Sequence, residues 1–200
     1  MTETAYAART NNAFVLTETV TVAELMHQGA TPDDIRRQVL TEDLFQLRSL
    51  VSRERALQTI FKRLNQVPSA YIQLIATGNT DIRRYTTFFL ILREHRLLRE
   101  LIIEVLIDKI KAFDYVVTAV DLRSFFEFKR SQSPTVAAWS DSTYKKAASN
   151  TVQILVNAGL LQSVSQRGNY EIRALPIPSA LRQQLIADGL GNYLTLMLDI

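Results

Sequence analysis

The sequence predicts a mainly α, compact helical protein with an N-terminal helix-turn-helix and a C-terminal winged helix carrying a small β-hairpin. Three observations carry this prediction. Apolar residues recur at three- and four-residue spacing through most of the 200 positions, the period of an amphipathic helix. Ser, Thr, Asp and Asn precede those runs and Gly or Pro follows them, as helix caps and stops do. Around residues 115–117 and 160–174 the pattern shortens to β-branched runs and alternation, the signature of strands.

In chain order, Thr21 opens a short amphipathic stretch, Val22 to Gln28, closed by Gly29. Thr31-Pro32-Asp33-Asp34 reads as an N-cap, a proline at the first helical position and two acids in the first turn. A short helix from Glu42 to Leu47 is expected next. A third, capped by Ser52 and running from Arg53 to Asn65, buries Ala56, Leu57, Ile60, Phe61 and Leu64 and stops before Pro68. Three short helices with tight joints, the last one basic, form the pattern of a helix-turn-helix. Tyr71 to Thr77 adds a short apolar helix ended by Gly78 and Asn79. Thr80 and Asp81 then open a long periodic segment through Phe113, with a break expected near Arg93 to Arg96 because an unbroken helix of about 33 residues is far above the usual length.

The C-terminal part carries the most specific signals. Tyr115-Val116-Val117 suits a brief strand. Thr118 with Asp121 forms a capping box ahead of a helix through Leu122, Phe125, Phe126 and Phe128. Ser133-Pro134 turns the chain. Ser140 or Asp141 caps a helix to about Ala158, ended by Gly159. Leu160 to Val164, the turn Gln166-Arg167-Gly168-Asn169, and Tyr170 to Ala174 make a hairpin. Helix, strand, helix, turn, helix, hairpin is the order of a winged helix. A last helix, capped by Ser179, runs from Ala180 to Asp188. The apolar tail from Tyr193 to Ile200 is expected to pack back on the core or on a partner. Residues 1–95 are thus read as the N-terminal helical region, 96–175 as the winged-helix region, and 176–200 as a helix and tail closing on the core.

Composition sets the class. Hydrophobic residues make up 47% and charged residues 22%, the balance of an ordinary soluble globular protein. There is no cysteine, which removes disulfides and thiolate chemistry and suits a reducing, cytoplasmic setting. The N-terminus lacks the basic start and apolar run of a secretory signal. The most apolar stretch, Tyr85 to Ile107, is interrupted by Arg93, Glu94, Arg96, Arg99, Glu100 and Glu104, so no membrane contact is expected.

The net charge of +3 hides an uneven distribution. Residues 36–63 hold seven bases (Arg36, Arg37, Arg48, Arg53, Arg55, Lys62, Arg63) against three acids. Residues 129–173 hold six bases (Lys129, Arg130, Lys145, Lys146, Arg167, Arg173) against two acids. In the second island, helical spacing turns Tyr144, Ala148, Thr151 or Val152, Leu155 and Gly159 inward. It leaves Ser142, Lys145, Lys146, Ser149, Asn150, Gln153 and Asn157 outward. Two lysines among uncharged donors, with no acid after Asp141, suit phosphates and base edges. Arg167, at the hairpin tip, is placed to reach an adjacent phosphate or the minor groove. Arg53, Arg55, Lys62 and Arg63 carry the same argument for the N-terminal helix. The alternative for each is a solvated helix face or a protein contact.

Enzyme chemistry finds no foothold, and neither catalytic residues, metal ligands nor a cofactor are expected. His27 and His95 are the only histidines, so His/Cys metal sites are not expected. No phosphate-cradling glycine motif occurs, and the carboxylates are scattered beside basic partners.

The order of elements, with W-S-D-S-T-Y-K-K from Trp139 to Lys146, N-A-G-L-L from Asn157 to Leu161 and R-E-R-A-L from Arg53 to Leu57, resembles the BrxA family. Its members are core proteins of BREX phage-exclusion systems. The resemblance covers nearly the whole chain. It implies a non-enzymatic, nearly all-helical protein with two helix-turn-helix elements that binds double-stranded DNA beside a methyltransferase, ATPases and other defence components. Carried onto this sequence, the DNA-facing candidates are the bases from Arg53 to Arg63 and Lys145 with Lys146. Competing readings are a helical adaptor whose basic islands meet acidic proteins, and an RNA binder. The latter needs exposed aromatics, whereas Phe88, Phe89, Phe125, Phe126 and Phe128 sit mostly at core-like positions.

Overall fold

Thr31, Thr118 and Ser140, read as caps from the sequence, open their helices as expected. In the computed structural model, which describes residues 5–8, 14–164 and 168–199, the Thr31 side chain accepts from the Asp34 N–H and opens α2 (Pro32–Leu40). Asn79, expected to end the preceding helix, instead caps α5 (Thr80–Glu94) by accepting from the Ile82 N–H. Both hydrogen bonds of the Thr118–Asp121 capping box are present at α8 (Ala119–Gln132). Ser140 accepts from the Thr143 N–H and opens α10 (Asp141–Ala158), which ends on Gly159 at φ 92°. That is a left-handed position where a side chain would be strained.

Other elements differ from expectation. α1 spans Leu16–His27, starting well before Thr21, with Val15 in a left-handed turn at its head. α3 spans Leu50–Leu64 and is capped by Ser49, which accepts from Ser52 rather than Ser52 acting as cap. The short helix expected over Glu42 to Leu47 is absent: Asp43 and Gln46 both adopt left-handed φ near 53°, which breaks any helical run. Ser179 lies inside α11 (Ser179–Ala187), with Pro178 preceding it.

The expected break in the long central segment falls at His95, between α5 and α6 (Arg96–Leu101). His95 Nδ1 accepts from the Leu98 N–H and so caps the new helix. Arg99, buried in the elbow, donates to the carbonyls of Leu92 and Arg93 and closes the old one. Beyond α6 the chain continues through a π-helical stretch (Ile102–Ile107) into α7 (Asp108–Lys111).

α4 (Ser69–Thr77) lies against α1, and α5 runs through the middle, touching α1, α3, α4, α10 and α11. All eight residues from Tyr85 to Leu92 are buried. Strand β1 (Val116–Val117), α8, the single-turn α9 (Pro134–Ala137) that forms at Ser133-Pro134, α10, β2 (Leu161–Ser163) and β3 (Tyr170–Ile172) follow in the expected order. The strands make an antiparallel sheet in the order β1-β3-β2, with Val117 and Ser163 both opposite Tyr170. The tail folds back: α12 (Asn192–Leu196) and the residues after it bury Tyr193, Leu196, Met197 and Leu198. One cluster of buried residues runs from Phe14 to Leu198. The fold is mainly α, with its small sheet confined to the C-terminal half.

Candidate nucleic-acid interface

α10 presents the polar face that its spacing predicts. Ser142, Lys145, Lys146, Ser149 and Gln153 are exposed along one side, about two turns of helix apart from first lysine to Gln153. Ala147, Thr151, Val152, Ile154, Leu155 and Ala158 are buried on the other. Tyr144 and Ala148, expected inside, are half-buried at the seam, and so are Asn150 and Asn157, expected outside. The Thr151 hydroxyl donates to the Ala147 carbonyl, so the hidden side leaves no loose donor there. Among the described residues neither Lys145 nor Lys146 forms an ion pair.

The acid at the head of this helix is neutralised from outside it. Arg130, in the last turn of α8, sets its guanidinium 2.9 Å from an Asp141 carboxylate oxygen and 4.9 Å from the centroid of the Tyr144 ring. Charge alone marks Arg130 in the sequence; nothing there ties it to Asp141.

Behind α10 the sheet fixes the hairpin. The Ala119 N–H, at the start of α8, donates to Asn169 Oδ1 at 3.1 Å, so the root of the β2–β3 turn is tied to the neighbouring helix. Arg167, the predicted hairpin-tip contact, lies outside the described residues. At the far edge, the ladder alternation turns the Val116 N–H away from β3. Asp114 accepts it at 3.0 Å, and Asp121 accepts the Thr118 N–H at 2.8 Å. Lys109 bridges both carboxylates at 2.6 and 3.0 Å, which closes this edge to further strands.

The N-terminal island divides. Arg55 and Lys62 are exposed on α3, seven residues and so about two turns apart on one face. Lys62 lies 4.0 Å from Glu94. Arg53 and Arg63, read from the sequence as DNA-facing, instead point into the fold. Arg53 donates to the carbonyls of Leu47 and Leu40 and pairs with Asp43 at 2.7 Å, pinning the loop that replaces the expected helix. Arg63 is 3% exposed and donates to Glu94 at 2.8 Å. A base so buried and paired is structural.

A second charged cluster lines a cleft between α6, α8 and the N-terminal segment, with Tyr6, Glu100, Glu104 and Lys129 on its walls. Glu100 accepts from Tyr6 Oη and Arg96 Nε, each at 2.7 Å, and pairs with Lys129 at 3.0 Å. Burial pushes the Glu100 carboxyl up, but the hydrogen bonds from Arg96, Tyr6 and Lys129 outweigh it and hold it below the ordinary carboxylate value. Burial likewise draws the Lys129 ammonium down, and Glu104 and Glu100 more than reverse this. These groups satisfy one another. Among the described residues no group of three or more His, Cys, Asp or Glu is placed to hold a metal ion. Nor, among them, is any helix long and apolar enough to cross a membrane.

Comparison with known proteins places this architecture. A solved structure of an uncharacterized protein from Magnetospirillum magneticum superposes with a TM-score of 0.77 at 22% identity, covering 96% of this chain and 97% of the other. The proteins named BREX protein BrxA in Bacillus cereus (strain H3081.97) and Escherichia coli O9:H4 (strain HS) are also similar. The first is 26% identical over 176 residues, 88% of this chain and 87% of its own length. The second is 24% identical over 168 residues, 84% and 79% of the two chains. The BrxA family profile matches residues 5–189, and the chain belongs to the BrxA family.

Proposed function

We propose that this chain is a non-enzymatic double-stranded DNA-binding protein of a BREX-type phage-defence system, acting in the cytoplasm with other BREX proteins, including the methyltransferase. One observation carries the reading: the outward face of α10 holds two lysines that have no acidic partner among the described residues, set beside short hydroxyl and amide donors. Its mounting, with α8 and α9 before it and a hairpin after it on a β1-β3-β2 sheet, supports a winged helix with α10 as recognition helix. Such a helix enters the major groove by its N-terminal residues, where Ser142, Lys145, Lys146 and Ser149 stand. Arg55 and Lys62 on α3 supply a second basic face for the N-terminal helix-turn-helix. Arg167, on the sequence reading alone, is the proposed wing contact.

The test is duplex binding followed by fluorescence anisotropy across a salt series. Affinity is expected to fall linearly in log–log form with salt, as neutralised phosphates release counterions. Lys145→Glu with Lys146→Glu is expected to weaken binding on the order of tenfold or more while the thermal transition stays put. Undiminished duplex binding by the double variant removes α10 from the interface. A second reading, a helical adaptor, has its own support in the exposed apolar side chains Phe113, Tyr115, Val116 and Val120. It predicts no duplex retardation by the purified chain and stable capture of another BREX protein. An RNA reading is less supported, since Phe88, Phe89, Phe125 and Phe126 are all buried and Phe128 alone of that set is exposed.

A further inference from the structure

We infer that Arg130 is a positioning residue, which keeps Lys145 available for phosphate by holding Asp141 away from it. The inference rests on the duplex-DNA reading of α10 and adds how that face stays positive. Asp141 opens the helix and Lys145 follows four residues later. An acid one turn before a base is the favoured order for an ion pair along a helix, and such a pair would cancel half of the exposed lysine charge.

The carboxylate is engaged elsewhere. Arg130 meets it at 2.9 Å from the last turn of α8, and the same guanidinium is braced over the Tyr144 ring at 4.9 Å. Tyr144 is half-buried against the core, so the brace is anchored. A planar guanidinium held on two sides loses less freedom in binding a carboxylate than does a lysine on its flexible stem. Asp141 thereby keeps its favourable place at the positive end of α10 without drawing Lys145 to itself. The pair also spans α9, linking the two long helices of this half.

A set of five variants, read by duplex anisotropy over a salt series with circular dichroism as the folding control, tests this. Arg130→Ala is expected to weaken binding by about three- to tenfold near ~0.1 M salt and to reduce the salt slope by about 0.9, the loss of one phosphate contact. Adding Asp141→Asn is expected to restore both the affinity and the slope. Asp141→Asn alone, which leaves Arg130 in place, is expected to bind at least as tightly as the parent. On a Lys145→Gln background, Arg130→Ala is expected to cost nothing further, because the two changes act through one contact. Failure of Asp141→Asn to rescue, or a further loss in the Lys145→Gln background, means that Arg130 meets the phosphate itself and overturns the inference while the DNA reading stands. Absence of duplex binding by the parent overturns both.

Discussion

Glu100 is the residue on which the cleft between α6 and α8 depends. Three donors converge on its carboxylate: Tyr6, Arg96 and Lys129. They hold it ionised below the ordinary carboxylate range despite its burial. The consequence for stability has a definite sign. A carboxyl whose folded value is lowered contributes fully above the ordinary value of about 4.5, and the contribution drains away as pH falls through the lowered one. Lys129, with its raised value, contributes fully below the ordinary lysine range and adds no slope in acid. Urea denaturation between pH 3 and 6 is therefore expected to show the parent losing stability below about pH 4.5, and Glu100→Gln losing less over the same interval. At neutral pH the variant is expected to be about 2 kcal/mol weaker, because half-buried Arg96 loses the Glu100 charge and buried Lys129 is left with Glu104. Parallel pH curves for the two proteins would refute the assignment. Residue roles of this kind were only partly legible in the sequence. Exposure of Lys145 and Lys146 follows from helical period alone. The difference between Arg53, folded onto Leu47 and Leu40, and Arg55, two residues on and exposed, depends on partners that spacing does not reveal. Arg63 finds Glu94 31 residues away, a contact made by folding.

At the scale of elements, caps and stops carry most of what could be read. Thr31, Thr118 and Ser140 each satisfy a backbone N–H in the first turn of a helix, and these are local bonds made by residues near in sequence. Boundaries failed where local signals were outcompeted: Ser49 and Ser52 both suit a cap, and the one farther back won. The Glu42 to Leu47 segment lost its helix to the Arg53 clamp. Gly78, between α4 and α5, shows a different constraint. Its φ of −71° suits any residue, yet a Cβ there would stand 2.4 Å from the Leu74 carbonyl oxygen and 2.5 Å from Ile82 Cγ2. α4 and α5 meet closely because nothing projects at this corner. Gly78→Ala is accordingly expected to cost about 1–3 kcal/mol through displacement of the corner, measured as a lower urea midpoint. An unchanged midpoint would show that the corner yields freely.

At the scale of the molecule, the division into an N-terminal region and a C-terminal one is a division of surfaces rather than of cores. α5 belongs by sequence to the first half and touches α10 and α11 of the second. Phe89 stacks on Tyr71 at 5.0 Å and meets the edge of Tyr193 at 5.1 Å, so a residue of the tail completes an aromatic group begun in α4. Apolar patterning made it legible that the tail would be covered; that it would seat on α5 follows from the three-dimensional path of the chain. A shared core implies a shared transition. Tyr193→Ala removes the ring that closes the group and is expected to destabilise the whole chain by about 3 kcal/mol, rather than to loosen the tail alone. Trp139 is the only tryptophan and sits just before α10, so its fluorescence reports the C-terminal half, while far-UV circular dichroism is weighted by helices throughout. In the parent and in Tyr193→Ala the two signals are expected to trace one coincident unfolding curve, shifted together in the variant. A fluorescence transition that moves away from the dichroism transition would mean that the helices around Trp139 unfold on their own, and that the two basic faces ride on separable bodies.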